Sequence, residues 1–89
     1  MSSPIVEINM DTLVETGDTF SLTNVVGFSI TNSGPSDAFL GYVGSGKPIA
    51  LKAGESREFH PVGYQFKGQM EVAFDKVEVG LIEVIKYVR

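Results

Sequence analysis

Residues 25–74 read VVGFSITNSGPSDAFLGYVGSGKPIALKAGESREFHPVGYQFKGQMEVAF. Short apolar runs alternate with clusters of Gly, Pro, Ser, Asn and Asp. That punctuation predicts an all-β domain. In 25–32, Val26, Phe28 and Ile30 share one face of a strand, and Ser29 and Thr31 share the other. Gly27 falls on the polar side, where a strand glycine marks a bulge or a close backbone approach. Asn32 to Asp37 is turn chemistry throughout. Residues 38–43 resume a strand whose two faces both look apolar, Phe39 and Val43 against Leu40 and Tyr42, as for a strand covered on both sides.

Outward from this stretch, further strands are expected. Residues 5–10, IVEINM, set Val6, Ile8 and Met10 against Glu7 and Asn9, the alternation of a half-buried strand. The same residues 1–10 also suit an extended arm that pairs with another subunit's sheet edge. Phe20 and Leu22 alternate with Ser21 and Thr23 after the TGDT turn. Ile49 and Leu51 begin a strand, AGES at 53–56 is a turn, and REFHP at 57–61 is a strand that Pro61 ends. Residues 62–68 are ambiguous. Residues 69–75 place Met70, Val72 and Phe74 inward. The end, LIEVIKYVR, has a polar residue every third position, but its β-branched and aromatic residues favour strand over helix. As a strand it carries Ile82 and Val84 on one face and Leu81, Ile85 and Tyr87 on the other, and the second face needs a cover. About eight short strands predict a small antiparallel β-sandwich or barrel, jelly-roll-like, in a single domain over 1–89.

Composition narrows the classes of function. A chain of 89 residues with no Cys has one core and neither disulfide nor thiolate metal site to brace it. Oligomerisation is the other common way to stabilise so small a β protein. Net charge is −4, with no Lys or Arg before Lys47. The basic residues are scattered among acids, which argues against a nucleic-acid partner. No apolar run approaches the ~20 residues of a membrane helix, and MSSPIVEINMD lacks the basic and apolar regions of a signal peptide.

No motif in the chain assembles a catalytic or cofactor site. Gly41 to Lys47 fits GxxxxGK, but Pro48 stands where a phosphate-binding loop needs Ser or Thr, and no helix is expected to follow. His60 is the only histidine, too few ligands for a zinc site without Cys. Ser56, His60 and Asp75 supply the residue types of a nucleophilic triad, without a nucleophile-elbow pattern around the serine. Asp11, Glu15 and Asp18, or Glu55 and Glu58, lack the regular alternation of a calcium loop. The expectation is a protein without catalytic residues, metal or cofactor.

The segment FSITNSGPSDAFLGYVGSGKPIALKAGESREF resembles a recurrent pattern in small β-sandwich virion proteins of tailed bacteriophages. The residues that carry it are Thr31, Asn32, Ser33, Ala38, Gly41, Pro48, Leu51, Ala53, Gly54, Glu55, Ser56 and Phe59. The resemblance covers about a third of the chain directly. It implies a non-enzymatic capsid decoration or auxiliary protein, assembled in the bacterial host's cytoplasm and carried in the virion. Its partners would be copies of itself, the major capsid protein or other virion proteins. The contact residues expected are Ile5, Ile8 and Met10 near the start, with Leu81, Ile85 and Tyr87 in the last strand. A carbohydrate- or cell-surface-binding module of a tail or head fibre is the rival. It would meet a surface glycan through Tyr42 and through the 44–48 and 61–68 loops, which carry Lys47 and Tyr64.

Overall fold

The computed structural model describes residues 6–44, 48–60, 67–75 and 80–89. They form eight strands, β1 Glu7–Leu13, β2 Thr19–Ser21, β3 Val25–Asn32, β4 Ala38–Tyr42, β5 Ile49–Leu51, β6 Ser56–Phe59, β7 Gln69–Phe74 and β8 Ile82–Val88, and no helix occurs among the described residues. Two antiparallel four-stranded sheets result, ordered β1-β8-β3-β6 and β2-β7-β4-β5. Each strand pairs with the one equally far from the other end of the chain: β1 with β8, β2 with β7, β3 with β6, β4 with β5. The chain is therefore one long hairpin, folded back between β4 and β5. Its pairs alternate between the two sheets, and the β3–β8 and β4–β7 contacts close them. This is the jelly-roll winding, and the protein is a small antiparallel β-sandwich.

Inward-facing residues from both sheets make one core. Leu13, Val25, Phe28, Ile30, Ile82 and Val84 come from one side, and Phe20, Ala38, Leu40, Leu51, Met70, Val72 and Phe74 from the other. Phe28 lies at the join. Its ring stacks on Phe59 of the same sheet at 4.8 Å and meets Phe20 of the opposite sheet edge-on at 5.8 Å. Such offset and edge geometries add about 0.5–1.5 kcal/mol per pair beyond burial.

One end of the sandwich is tied by hydrogen bonds around Asn32, which is fully buried. Its side-chain amide donates to the carbonyls of Ser36 (2.7 Å) and of Leu51 in the other sheet (3.0 Å), and its Oδ1 accepts from Gly34 N. Its backbone N–H donates to Glu55 O, and its carbonyl accepts from Gly54 N. The Lys52–Glu55 turn presents those groups. Glu55 N closes it on Lys52 O, and Gly54 adopts φ +85°, the left-handed position that a type II turn needs at its third residue. Asp37 joins through its Oδ1, which accepts from Ala53 N at 3.0 Å. Residues spelling N-x-x-x-S-D and L-x-A-G-E are thus one structural unit.

Three expectations need correction. A register shift between Val25 and Gly27 is a β-bulge, and it sends Val25 into the core while Val26 is left half-buried. β4 is not covered on both faces: the sandwich has two layers, and Phe39 and Val43 on its outer side are exposed. β1 is not half-buried along its length: residues 6–10 are exposed, and burial is reached only at Leu13. The ambiguous 62–68 segment lies mostly outside the described residues.

Asn32→Ala leaves the carbonyls of Ser36 and Leu51 and the amide of Gly34 without this partner. We expect a loss of roughly 2–4 kcal/mol in urea unfolding. A variant within 0.5 kcal/mol or so of wild type would deny Asn32 this role.

Candidate functional site

The period of two along each strand determines what the outer face of the first sheet presents. With Ile82 and Val84 in the core, β8 turns Glu83, Ile85 and Tyr87 outward. The register places Thr12, Met10 and Ile8 of β1 beside them on one flank, and Thr31, Ser29 and Gly27 of β3 on the other. Ile8–Tyr87 and Met10–Ile85 are therefore side-by-side pairs on an uncovered surface. Ile8 is 65% exposed and Met10 69%, while Ile85 and Tyr87 are half-buried between their neighbours. Val6 continues the row beyond the start of β1 and is exposed as well.

The far flank of this face is polar. His60 follows β6 and lays its ring over Gly27, where a Cβ would stand 2.7 Å from Nδ1. The bulge glycine thus leaves room for the His60 ring, which a larger residue would push aside. His60 Nε2 lies 3.6 Å from Glu58 Oε2, and its ring centroid 6.0 Å from that of Tyr87. Further along, Thr31 and Ser56 share a hydroxyl hydrogen bond of 2.9 Å between β3 and β6.

Behind the face, at the same corner, the inward row of β1 is polar: Glu7, Asn9 and Asp11. Lys86 enters from β8 and sets Nζ 2.6 Å from Asp11 Oδ2 and 3.2 Å from the carbonyl of Ser21 at the end of β2. The Asp11 contact lies off the hydrogen-bond directions, so Oδ2 is buried with the ion pair alone. Lys86 closes the core here with its stem and keeps its ammonium among oxygens. β2 is only three residues long, and Glu7 and Asn9 remain exposed on this side.

Among the expected contact residues, Ile8, Met10, Ile85 and Tyr87 come together on one face. Leu81 is placed apart from them, half-buried at the other end of β8, where its carbonyl accepts from Ser33 and Gly34. Ile5, Lys47 and Tyr64 lie outside the described residues. Tyr42 is exposed at the end of β4, opposite Met70, at the end of the sandwich from which the 43–48 connection leaves. Val6 belongs to the face and could have been found from its place in the IVEINM alternation.

The residues proposed for chemistry are dispersed. Ser56 begins β6 and His60 lies beyond its end, about 13 Å away at the rise of a strand. Asp75 follows β7 in the other sheet, where its N–H donates to Asp37 O. The GxxxxGK match runs out of β4 and is followed by strand β5, not a helix. Among the described residues, no group of three or more His, Cys, Asp or Glu is placed to hold a metal ion.

No family model and no curated protein matches the chain. A solved structure of a protein of unknown function from Vibrio parahaemolyticus is similar in fold, with a TM-score of 0.53 and 12% identity, over 99% of this chain and 82% of that one. The likeness supports the sandwich architecture alone.

One acid is tuned by the backbone. Asp18 Oδ2 accepts from the N–H groups of Val14 (2.9 Å) and Glu15 (3.0 Å), which hold its carboxyl below the ordinary value of 3.8. A depressed native pKa stabilises the fold above the unfolded value, and that contribution is lost as pH falls through the native one. We expect wild type to exceed Asp18→Asn in urea midpoint at neutral pH, with the gap narrowing as the pH falls below the ordinary carboxyl value of 3.8. A gap that persists or widens in acid would contradict the assignment.

Proposed function

We propose that this protein is a non-enzymatic structural protein of a tailed-bacteriophage virion, of the auxiliary capsid or decoration kind, and that it works by subunit contact. The observation that carries the reading is the joining of Ile8, Met10, Ile85 and Tyr87 on one uncovered sheet face. An apolar face of this kind, bounded by polar residues, is what a protein–protein contact requires. The resemblance of residues 28–59 supplies the virion setting. The jelly roll itself serves viral capsid domains and lectins alike, so winding alone does not separate the two readings.

The test is to mix the protein with purified particles that lack it and count bound copies by quantitative mass spectrometry. We expect saturable binding, weakened about tenfold or more by Ile85→Glu. No binding, or binding indifferent to Ile85→Glu, would sink the proposal.

A second reading rests on the exposed Phe39, Tyr42 and Val43 of the β4 end. An aromatic at the sandwich end, beside the 43–48 connection, suits stacking on a surface glycan. It predicts glycan-array binding that Tyr42→Ala abolishes; silence across a broad array would remove it.

A further inference from the structure

Each sheet has two edges, and the four edge strands differ in length. β2 and β5 have three residues and β6 has four, whereas β1 has seven. Short edges are poor templates for further strand pairing, and a long edge with exposed apolar side chains is a good one. β1 is such an edge. Its residues 7–10 are exposed on both faces, and Ile8 and Met10 are the most exposed large apolar residues described.

We infer that β1 pairs with β1 of a second copy of this chain, antiparallel and centred on Ile8. Two four-stranded sheets then become one of eight strands. The inference comes from self-complementarity. A two-fold antiparallel pair that keeps both apolar faces on the same side must be centred on a residue, because side chains alternate with a period of two. Centred on Ile8, Val6 stands opposite the partner's Met10, Ile8 opposite the partner's Ile8, and Glu7 opposite the partner's Asn9. Within the overlap Val6–Met10, the outward pairs are apolar with apolar and the inward pairs are carboxylate with amide.

The neighbouring centres fail on chemistry. Centred on Asn9, Glu7 faces the partner's Asp11, and like charges directly opposite are destabilising. Centred on Met10, Ile8 faces the partner's Thr12, and Glu7 faces the partner's Leu13, which is a core residue. The Ile8 register also joins the two outer faces. Tyr87, Ile8, the partner's Ile8 and the partner's Tyr87 form one continuous row, since Ile8 already lies beside Tyr87 within each copy.

The inference deepens the assembly reading by naming the occupant of the β1 edge, and it rests on that reading only for the face it uses. The test is the oligomeric state of wild type, Asn9→Glu, and Glu7→Lys combined with Asn9→Glu, by sedimentation equilibrium. We expect a dimer that Asn9→Glu weakens about tenfold by opposing Glu7 with a second acid, and that the double variant restores. Both positions are exposed, and circular dichroism checks that the fold survives. The chain has no Cys, so Ile8→Cys introduces a lone thiol that should cross-link two copies on mild oxidation, while Thr12→Cys should not. A wild-type monomer at about 100 μM, a dimer indifferent to Asn9→Glu, or cross-linking through Thr12→Cys alone would overturn the inference. A wild-type monomer includes the case in which a strand of another protein fills the edge. A dimer that ignores particles would sink the virion reading and leave this one standing, and a monomer that binds particles would do the reverse.

Discussion

The amide of Asn32 joins the two sheets where no water reaches it. Asn32 ends β3 in one sheet, and its Nδ2 donates to Leu51 O of β5 in the other. Its backbone meanwhile holds the Lys52–Glu55 turn, and its side chain holds the turn that leads to β4. Buried in low dielectric, each of these bonds is strongly directional, and an unmade one is costly. Hydrophobic burial brings the sheets together without specifying how they sit against each other. Asn32 specifies it, because the amide satisfies two carbonyls and an N–H in only one arrangement.

At the opposite corner the sheets are joined by a surface-side contact instead, from Lys86 of β8 to the Ser21 carbonyl of β2. Along the inward row of β1, burial falls from Leu13 in the core through half-buried Asp11 to exposed Asn9 and Glu7. Lys86 marks the transition: it turns toward the inside but ends on Asp11 and the Ser21 carbonyl, where apolar packing has given way to polar contacts. Beyond it, Glu7 and Asn9 on the inner side of β1 and Ile8 and Met10 on its outer side are exposed. A tightly determined end and a bare ladder at the other divide the molecule into a part that specifies the fold and a part free to make contacts.

That division bears on the phage resemblance. Asn32, Ala53, Gly54 and Glu55, which carry much of it, are the hydrogen-bonded unit at the tied end. Their geometry accounts for the motif without any exposed chemistry. The motif therefore speaks most directly to architecture, and the surface that supports a function is on β1 and β8, outside the quoted segment.

Much of the architecture was legible from alternation alone. Met70, Val72 and Phe74 face inward as their spacing requires, and Gly27 marks both a bulge and a close approach. The pairing of Ile8 and Met10 with Tyr87 and Ile85 was half legible: each segment advertised an apolar face, but their adjacency depends on a contact between the two ends of the chain. Val26 misled because a bulge shifts the alternation by one residue, and strand periodicity carries no mark of where that happens. Asn32 misled because a turn-forming residue and a buried hydrogen-bonding residue have the same formula. By itself the sequence determined the β class and most strand positions, since these follow from local spacing and residue chemistry. Only the tertiary structure decided which apolar faces are buried, which of the described edge strands is long, and which polar residues join the sheets, because burial and strand partnership depend on residues far apart in the chain.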